Sequence, residues 1–402
     1  MSDMPPVRTF GRLPGDRCKY DGAVLANDGL IYCIPNCATD VLVIDPGLGE
    51  VSCFGQLPAG SNKWSGGALA ADGLIYCAPN SAREVLVIDP TTRRTSTFGA
   101  LPSGRFKWGD AILCGDASLC CVPIDADSVL LIDPVARTVE PFGEVPEGED
   151  KWFGGALGPD GLVYCAPYNS DRVLVVDARR RSVELFGSLE LGGEKWAGAA
   201  LGRDGRVYCA PRNANSVLVI DPLRRSLASI GLGSVPVGAN KWAGAVVGGD
   251  GLIYCIPSAE SRVLLCDPAA QRTAVFGRTT GQGTSRWCGG AAARSGTVYA
   301  APHDAEEALE ISVFVPTPWS PALHAEFPCS ARAWVRLLLL CQAMGAAPQG
   351  LRSIGRLLVT GVLPFAVDPV LLPPRARQKC SHPGTMTIEG FLGSSFPPRR
   401  QQ

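Results

Sequence analysis

The chain of 402 residues carries 37 basic against 38 acidic side chains, a net charge of −1. That balance removes the simplest electrostatic case for a nucleic-acid or polybasic membrane binder. With 46% hydrophobic and 19% charged residues, it can bury a large core, and 47 glycines with 33 prolines favour short strands and turns over long helices.

The first residues, MSDMPPVRTFGRLPGD, show no basic run followed by an apolar one. The expectation is therefore a cytoplasmic protein without a secretory leader, its sixteen cysteines reduced and used as small buried hydrophobes. From Lys19 onward a unit of about 44 residues recurs, the spacing of propeller blades built from four short strands. A basic–aromatic pair opens each unit: Lys19-Tyr20, Lys63-Trp64, Lys107-Trp108, Lys151-Trp152, Lys195-Trp196, Lys241-Trp242 and Arg286-Trp287. A small apolar strand follows and ends in an Asp-Gly hairpin signal at Asp28, Asp72, Asp160, Asp204 and Asp250, with degenerate forms at Asp116 and Ser295. The second strand (LIYCAP) stops at proline. The third (VLVIDP) is a continuous β-branched run, as expected of a strand buried on both faces. A fourth, such as STFG, leads to the next pair.

Seven copies of the first three strands run from Lys19 to Ser312, but only six are followed by a fourth. The missing one lies at the start, where VRTFGRLPG (7–15) matches VSCFGQLPAG (51–60). The pattern predicts an all-β, seven-bladed β-propeller over residues 1–312, closed by its own first strand, which removes exposed sheet edges. Residues 313–402 abandon the repeat in mid-unit for a Pro/Arg-rich remainder. They are expected to be a disordered tail with one short helical stretch near Ala331–Met344, and their abrupt start also fits read-through past an exon end. The most apolar stretch there, 354–372, contains Arg356, Pro364, Asp368 and Pro369, so no membrane span is expected.

The run DGLIYCAPNSAREVLVIDPTTRRTSTFG resembles YVTN and NHL-type propeller repeats, with their Asp-Gly turn, aromatic strand, variable loop and V-x-V-I-D strand. That resemblance spans residues 7–312 and implies the fold, but it leaves activity open because such repeats serve both scaffolds and enzymes. Streptogramin lyases and gluconolactonases have similar propellers. The lyases' tryptophan-phenylalanine-threonine-glutamate run is missing here, so none of their catalytic residues is transferred.

Candidate sites follow from propeller geometry. Lys19, Lys63, Lys107, Lys151, Lys195, Lys241 and Arg286 fall in loops that gather at one mouth of the channel. They would form a cationic ring for a small anion, or each would cap a neighbouring carbonyl with its stem over the aromatic ring. Trp64, Trp108, Trp152, Trp196, Trp242 and Trp287 read as wedges between blades, and the cysteine row from Cys33 to Cys255 as core. Variable loops add Asn36, Asn80, Asn169, Arg212, Asn213 and His303, the propeller's one histidine. The third unit departs most, with Asp110 where glycine is usual, plus Asp125 and Asp127. Asp110 and Asp21 near the axis would offer oxygen ligands to calcium or magnesium.

Functionally, the inventory favours a non-enzymatic, monomeric binding scaffold without a cofactor, its partner a protein segment or small anion. The alternative is a metal-dependent hydrolase or lactonase with carboxylates at the channel mouth.

Overall fold

The computed structural model describes residues 6–279 and 283–313, within the first of two units, Met1–Val315. The expected tail falls outside the described residues. Seven antiparallel four-stranded sheets make up the fold. Strand β1 (Val7–Phe10) precedes blade 1, which comprises β2 (Tyr20–Leu25), β3 (Ile31–Pro35), β4 (Val41–Asp45) and β5 (Glu50–Phe54). Blades 2 to 6 follow as β6–β9 (64–98), β10–β13 (108–144), β14–β17 (152–186), β18–β21 (196–230) and β22–β25 (242–276). Blade 7 comprises β26 (Trp287–Ala292), β27 (Val298–Pro302), β28 (Ala308–Ile311) and β1. The first strand of each blade touches the first strands of both neighbours in a closed cycle, so these seven surround the axis. No described helix is long and apolar enough to cross a membrane.

Local sequence explains each turn. Gly73 holds φ at +82°, and the preceding Asp72 accepts the Leu74 N–H at 3.0 Å and the Tyr76 hydroxyl at 2.7 Å. One aspartate thus closes the turn and satisfies a tyrosine whose ring is fully buried. Blades 1, 4, 5 and 6 repeat the arrangement. At the third-strand turn, Asp89 accepts the Thr91 and Thr92 N–H groups at 2.9 and 3.1 Å.

Second strands are buried at every position and fourth strands are largely exposed, so the core lies between blades. One apolar cluster, for example, joins Val41 and Val43 of blade 1 to Trp64, Ile75, Leu86 and Ile88 of blade 2. The tryptophans are the expected wedges. Trp64 Nε1 donates to the Glu84 carbonyl at 2.9 Å, and the other five donate to the residue twenty positions on. The cysteine row from Cys33 to Cys255 is buried and unpaired.

Closure joins the two ends of the repeat array. Val7 pairs with Ile311, Arg8 with Glu310, Thr9 with Leu309 and Phe10 with Ala308. Arg8 also reaches Glu310 at 2.7 Å, and the Leu13 N–H donates to the Glu306 carbonyl at 2.7 Å. Deleting residues 1–11 strips β28 of its partner. At about 1 kcal/mol per lost ladder bond, stability in denaturant should fall by about 4 kcal/mol. The bared edge should also cause concentration-dependent association, measured by light scattering.

Candidate site at the channel mouth

At the end of the channel where each blade's first strand begins, main chains of adjacent blades lock into a ring. The Lys63 N–H donates to the Asn36 carbonyl, the Asn80 N–H to the Lys63 carbonyl, and the Lys107 N–H to the Asn80 carbonyl. The series continues through Ile124, Lys151, Tyr168, Lys195, Arg212, Lys241, Ser258, Arg286, His303, Lys19 and Asn36, closing after fourteen hydrogen bonds of 2.8–3.4 Å. Two repeat columns alternate in this ring, the opening cation and the residue after the second-strand proline.

The seven cations are all buried, at 2–8% exposure. Lys107 Nζ donates to three carbonyls, Asn80 at 3.0, Ala82 at 2.9 and Gly104 at 3.2 Å. Lys63 reaches Ala38, Lys195 reaches Ser170 and Gly192, and Lys19, Lys151 and Lys241 each reach the carbonyl three residues earlier. Arg286 donates to Ser258 and to Thr279 Oγ1, both at 2.9 Å. Four of the lysine ammoniums lie 5.7–5.9 Å from their tryptophan ring centroids. Burial pushes all six lysines down, Lys107 and Lys241 to about 8. These contacts are those of the carbonyl-capping alternative: Lys63, Lys107, Lys195 and Arg286 latch their blades to the one before, while Lys19, Lys151 and Lys241 cap a carbonyl of their own entry loop.

The variable loop residues divide into two kinds. Asn169 Oδ1 accepts the Glu194 N–H at 2.9 Å, and Asn213 Oδ1 accepts the Asn240 N–H at 2.7 Å. Cys37, Ser81, Asp125 and Asp304 do the same at their own junctions. This column therefore caps the next blade's entry, where Asn62, Phe106, Asp150, Glu194, Asn240 and Cys18 all have φ between 45° and 53° or at 54°. Asn36, Asn80, Tyr168, Arg212 and His303 belong instead to the mouth ring.

One step deeper, the first strands converge so closely that glycine is required. A Cβ on Gly22 would lie 2.9 Å from the Gly66 Cα, and one on Gly244 would lie 2.8 Å from the Gly289 Cα. Six blades have glycine here and blade 3 has Asp110, at φ +50°, a conformation costing a non-glycine residue about 1 kcal/mol. Its carboxyl is pushed up to about 7, first by burial and second by the charge of Asp21. Asp21 is itself buried and accepts the Ser65 hydroxyl at 2.6 Å. Burial and Asp21 together push the Cys288 thiol up. Across the mouth, the Phe153 and Tyr168 ring centroids are 5.8 Å apart. Arg212 stacks on Tyr168 at 5.5 Å and pairs with Glu194 at 3.4 Å. Burial opposes a charge on His303, yet hydrogen bonds to Asp304 and Cys18 raise its imidazole to about 10.

The structure thus brings Asp21, Asp110, Arg212 and His303 to one mouth with Asn36 and Asn80, and places Asn169 and Asn213 in caps. Cys18, Ser65, Phe153, Tyr168 and Cys288 were not singled out from the sequence. Comparing the third column of each unit (Asp21, Ser65, Gly109, Phe153, Ala197, Ala243, Cys288) would have revealed most of them.

The chain is therefore a seven-bladed propeller of repeat type with an asymmetric mouth. Its solved neighbours are consistent with the YVTN/NHL-like resemblance. The streptogramin B lyase structure aligns with a TM-score of 0.65 at 12% identity, covering 77% of this chain and 97% of that one. Virginiamycin B lyase from Staphylococcus aureus aligns at 0.64 and 11%, covering 77% and 99%. A chain of the mitotic checkpoint complex aligns at 0.59 and 12%, covering 78% and 93%. No protein-family model and no curated protein matches the sequence. At these identities the likeness shows the fold.

Because Lys107 latches blades, Lys107→Met should cost about 2–3 kcal/mol by removing three ammonium-to-carbonyl hydrogen bonds. The sign of its pH dependence follows from the lowered pKa. Between about pH 8 and 10.5 the folded lysine has lost a proton that the unfolded chain retains, so wild-type stability gains with rising pH. Urea titrations of the two proteins should therefore diverge more at pH 10 than at pH 7.

Proposed function

We propose that the protein is a non-enzymatic binding scaffold whose ligand enters the asymmetric mouth and presents an anionic group to Arg212. The observation that carries this reading is where the repeat breaks its own symmetry. Columns that pack blades together are nearly constant, whereas the third column and the column after the second-strand proline vary around the ring, repeating only Ala197 with Ala243 and Asn36 with Asn80. Packing does not demand Asp21, Ser65, Asp110 and Phe153 at positions where other blades manage with alanine or glycine, nor Tyr168 and Arg212 where others carry asparagine, isoleucine or serine. A rigid ring carrying one-of-a-kind side chains is how folds acquire specificity.

The carboxyl groups face a different part of the ligand from the guanidinium. Asp21 and Asp110 on blades 1 and 3 suit donors such as hydroxyl or ammonium groups, and Tyr168 with Phe153 offers an aromatic wall beside Arg212. A small acid bearing hydroxyl or amino groups fits this division, as does an acidic peptide segment. One structural neighbour belongs to a multiprotein complex, which supports the peptide form.

A second reading is a metal-dependent hydrolase using Asp21 and Asp110 for calcium or magnesium, and the lyase neighbours lend it weight. In its favour, Asp110 replaces a glycine that the backbone conformation prefers.

Thermal-shift titration of the full chain at low ionic strength should separate the two readings. Sugar acids, hydroxy acids and acidic peptides should stabilise the wild type, by about 2.7 kcal/mol at one hundred times the dissociation constant. Arg212→Gln should abolish that shift. Absence of any shift, or an undiminished one in Arg212→Gln, overturns the scaffold reading, and a calcium-dependent shift lost in Asp110→Gly favours the hydrolase.

Asp110→Gly also tests the cost of the site. The raised pKa means that between about pH 4 and 7 the folded carboxyl keeps a proton the unfolded one has lost, so wild-type stability declines across that window. The variant should be more stable than wild type by about 1 kcal/mol at acidic pH, with the gap widening towards pH 7 in denaturant titrations.

A further inference from the structure

The seam that closes the ring carries a set of side chains that no other blade junction shares. Every junction presents the same three columns, namely the residue before the rim cation and the two residues after the preceding blade's second-strand proline. At successive junctions they hold Asn62 with Asn36 and Cys37, Phe106 with Asn80 and Ser81, or Glu194 with Tyr168 and Asn169. At the seam they hold Cys18 with His303 and Asp304. The thiol sulfur, an imidazole nitrogen and a carboxylate oxygen lie within 4.8 Å of one another, all half-buried. No other such trio of ligating groups is found among the described residues. The remaining junctions show that the fold does not need this chemistry, because six other combinations close the same geometry.

We propose that Cys18, His303 and Asp304 form a zinc site that staples the entry of blade 1 to blade 7 and leaves a fourth coordination position open. Sulfur and nitrogen donors select a borderline cation such as zinc over calcium or magnesium, which take oxygen ligands. Tetrahedral zinc, with bonds of about 2.0–2.3 Å, holds its donors about 3.4–3.8 Å apart. His303 Nδ1 and Asp304 Oδ1 already stand 3.2 Å apart, and the thiol must close in by about 1 Å. The ion takes the proton's place between imidazole and carboxylate, and the thiol releases its own proton on binding. Asp304 is held for this purpose by the Cys18 N–H, which donates to Oδ1 at 2.9 Å. The Lys19 N–H donates to the His303 carbonyl at 2.9 Å and fixes the two loops against each other. This site does not depend on the ligand reading above, since none of its three donors lies on the channel's aspartate or Arg212 side chains.

The repeat supplies substitutions that remove ligands while keeping the fold. Cys18→Asn introduces the residue found at position 62 and suits a φ of +53°. His303→Asn matches positions 36 and 80, and Asp304→Asn matches 169 and 213, preserving the cap on the Cys18 N–H. Purified full-length protein is stripped with chelator, loaded with zinc alone and dialysed. Bound metal is then counted, melting is followed with and without zinc, and a cobalt-loaded sample is examined for the thiolate-to-cobalt charge-transfer band. Because cysteines and histidines also lie beyond residue 313, the readout is the difference between proteins. Each variant should lose one equivalent of zinc, the cobalt–thiolate band and the zinc-dependent rise in melting temperature, with apo melting unchanged. Cys53→Ser, at an exposed cysteine, should keep all three. Equal zinc content and identical cobalt spectra in wild type and Cys18→Asn would overturn the site, as would a wild type that retains no zinc.

Discussion

The closed ring of fourteen main-chain hydrogen bonds at the channel mouth is the constraint on which the other features depend. It ties the opening residue of every blade to the preceding blade and to its own second strand before any side chain is considered. The buried cations add to it by donating to loop carbonyls beside the ring, which is why an ammonium group is tolerated at such low exposure. With register set by the main chain and by these latches, side chains directed at the axis are relieved of structural duty. Their variation from blade to blade is then affordable in packing terms, and the mouth becomes a rigid frame for a single asymmetric surface.

Blade 3 shows the tension between frame and surface. Its first strand carries Asp110 in a left-handed conformation beside glycines that admit no side chain, and its register shifts after Gly109, a residue later than in the other blades. The same blade has Cys120 where the others place tyrosine, so Asp116 bonds Ser118 instead of a buried hydroxyl. Blade 3 thus gives up two stabilising habits of its siblings next to a carboxyl held up to about 7.

Architecture was legible in the sequence because each blade repeats the physical reason for its shape. Asp72 and Gly73 encode a turn, the Val-Leu-Val-Ile run encodes a strand buried on both faces, and residues 7–15 echo the missing outer strand. The mouth was partly legible. Asp110 stood out as an exception among glycines, and its left-handed backbone packs against Gly66. The rim cations were visible as a column, but whether an ammonium faces the channel or a carbonyl depends on a loop path that periodicity does not contain. Asn169 and Asn213 looked like free polar loop residues, and their capping role needs the left-handed N–H of the next blade, 25 or 27 residues on. The Cys18, His303 and Asp304 trio was hidden for a similar reason, since its members come from opposite ends of the chain.

The outer strand of blade 7 is drawn from the start of the chain, with Arg8 and its partner Glu310 standing 302 positions apart. During synthesis the first segment therefore emerges without a partner and must wait until the last blade has left the ribosome. Six blades can form locally and in order, each on the edge of the one before, but the circle becomes a circle in one late and costly event. The seam is consequently the natural point of entry for unfolding, and any factor that grips both of its sides governs the lifetime of the whole molecule more than its size would suggest.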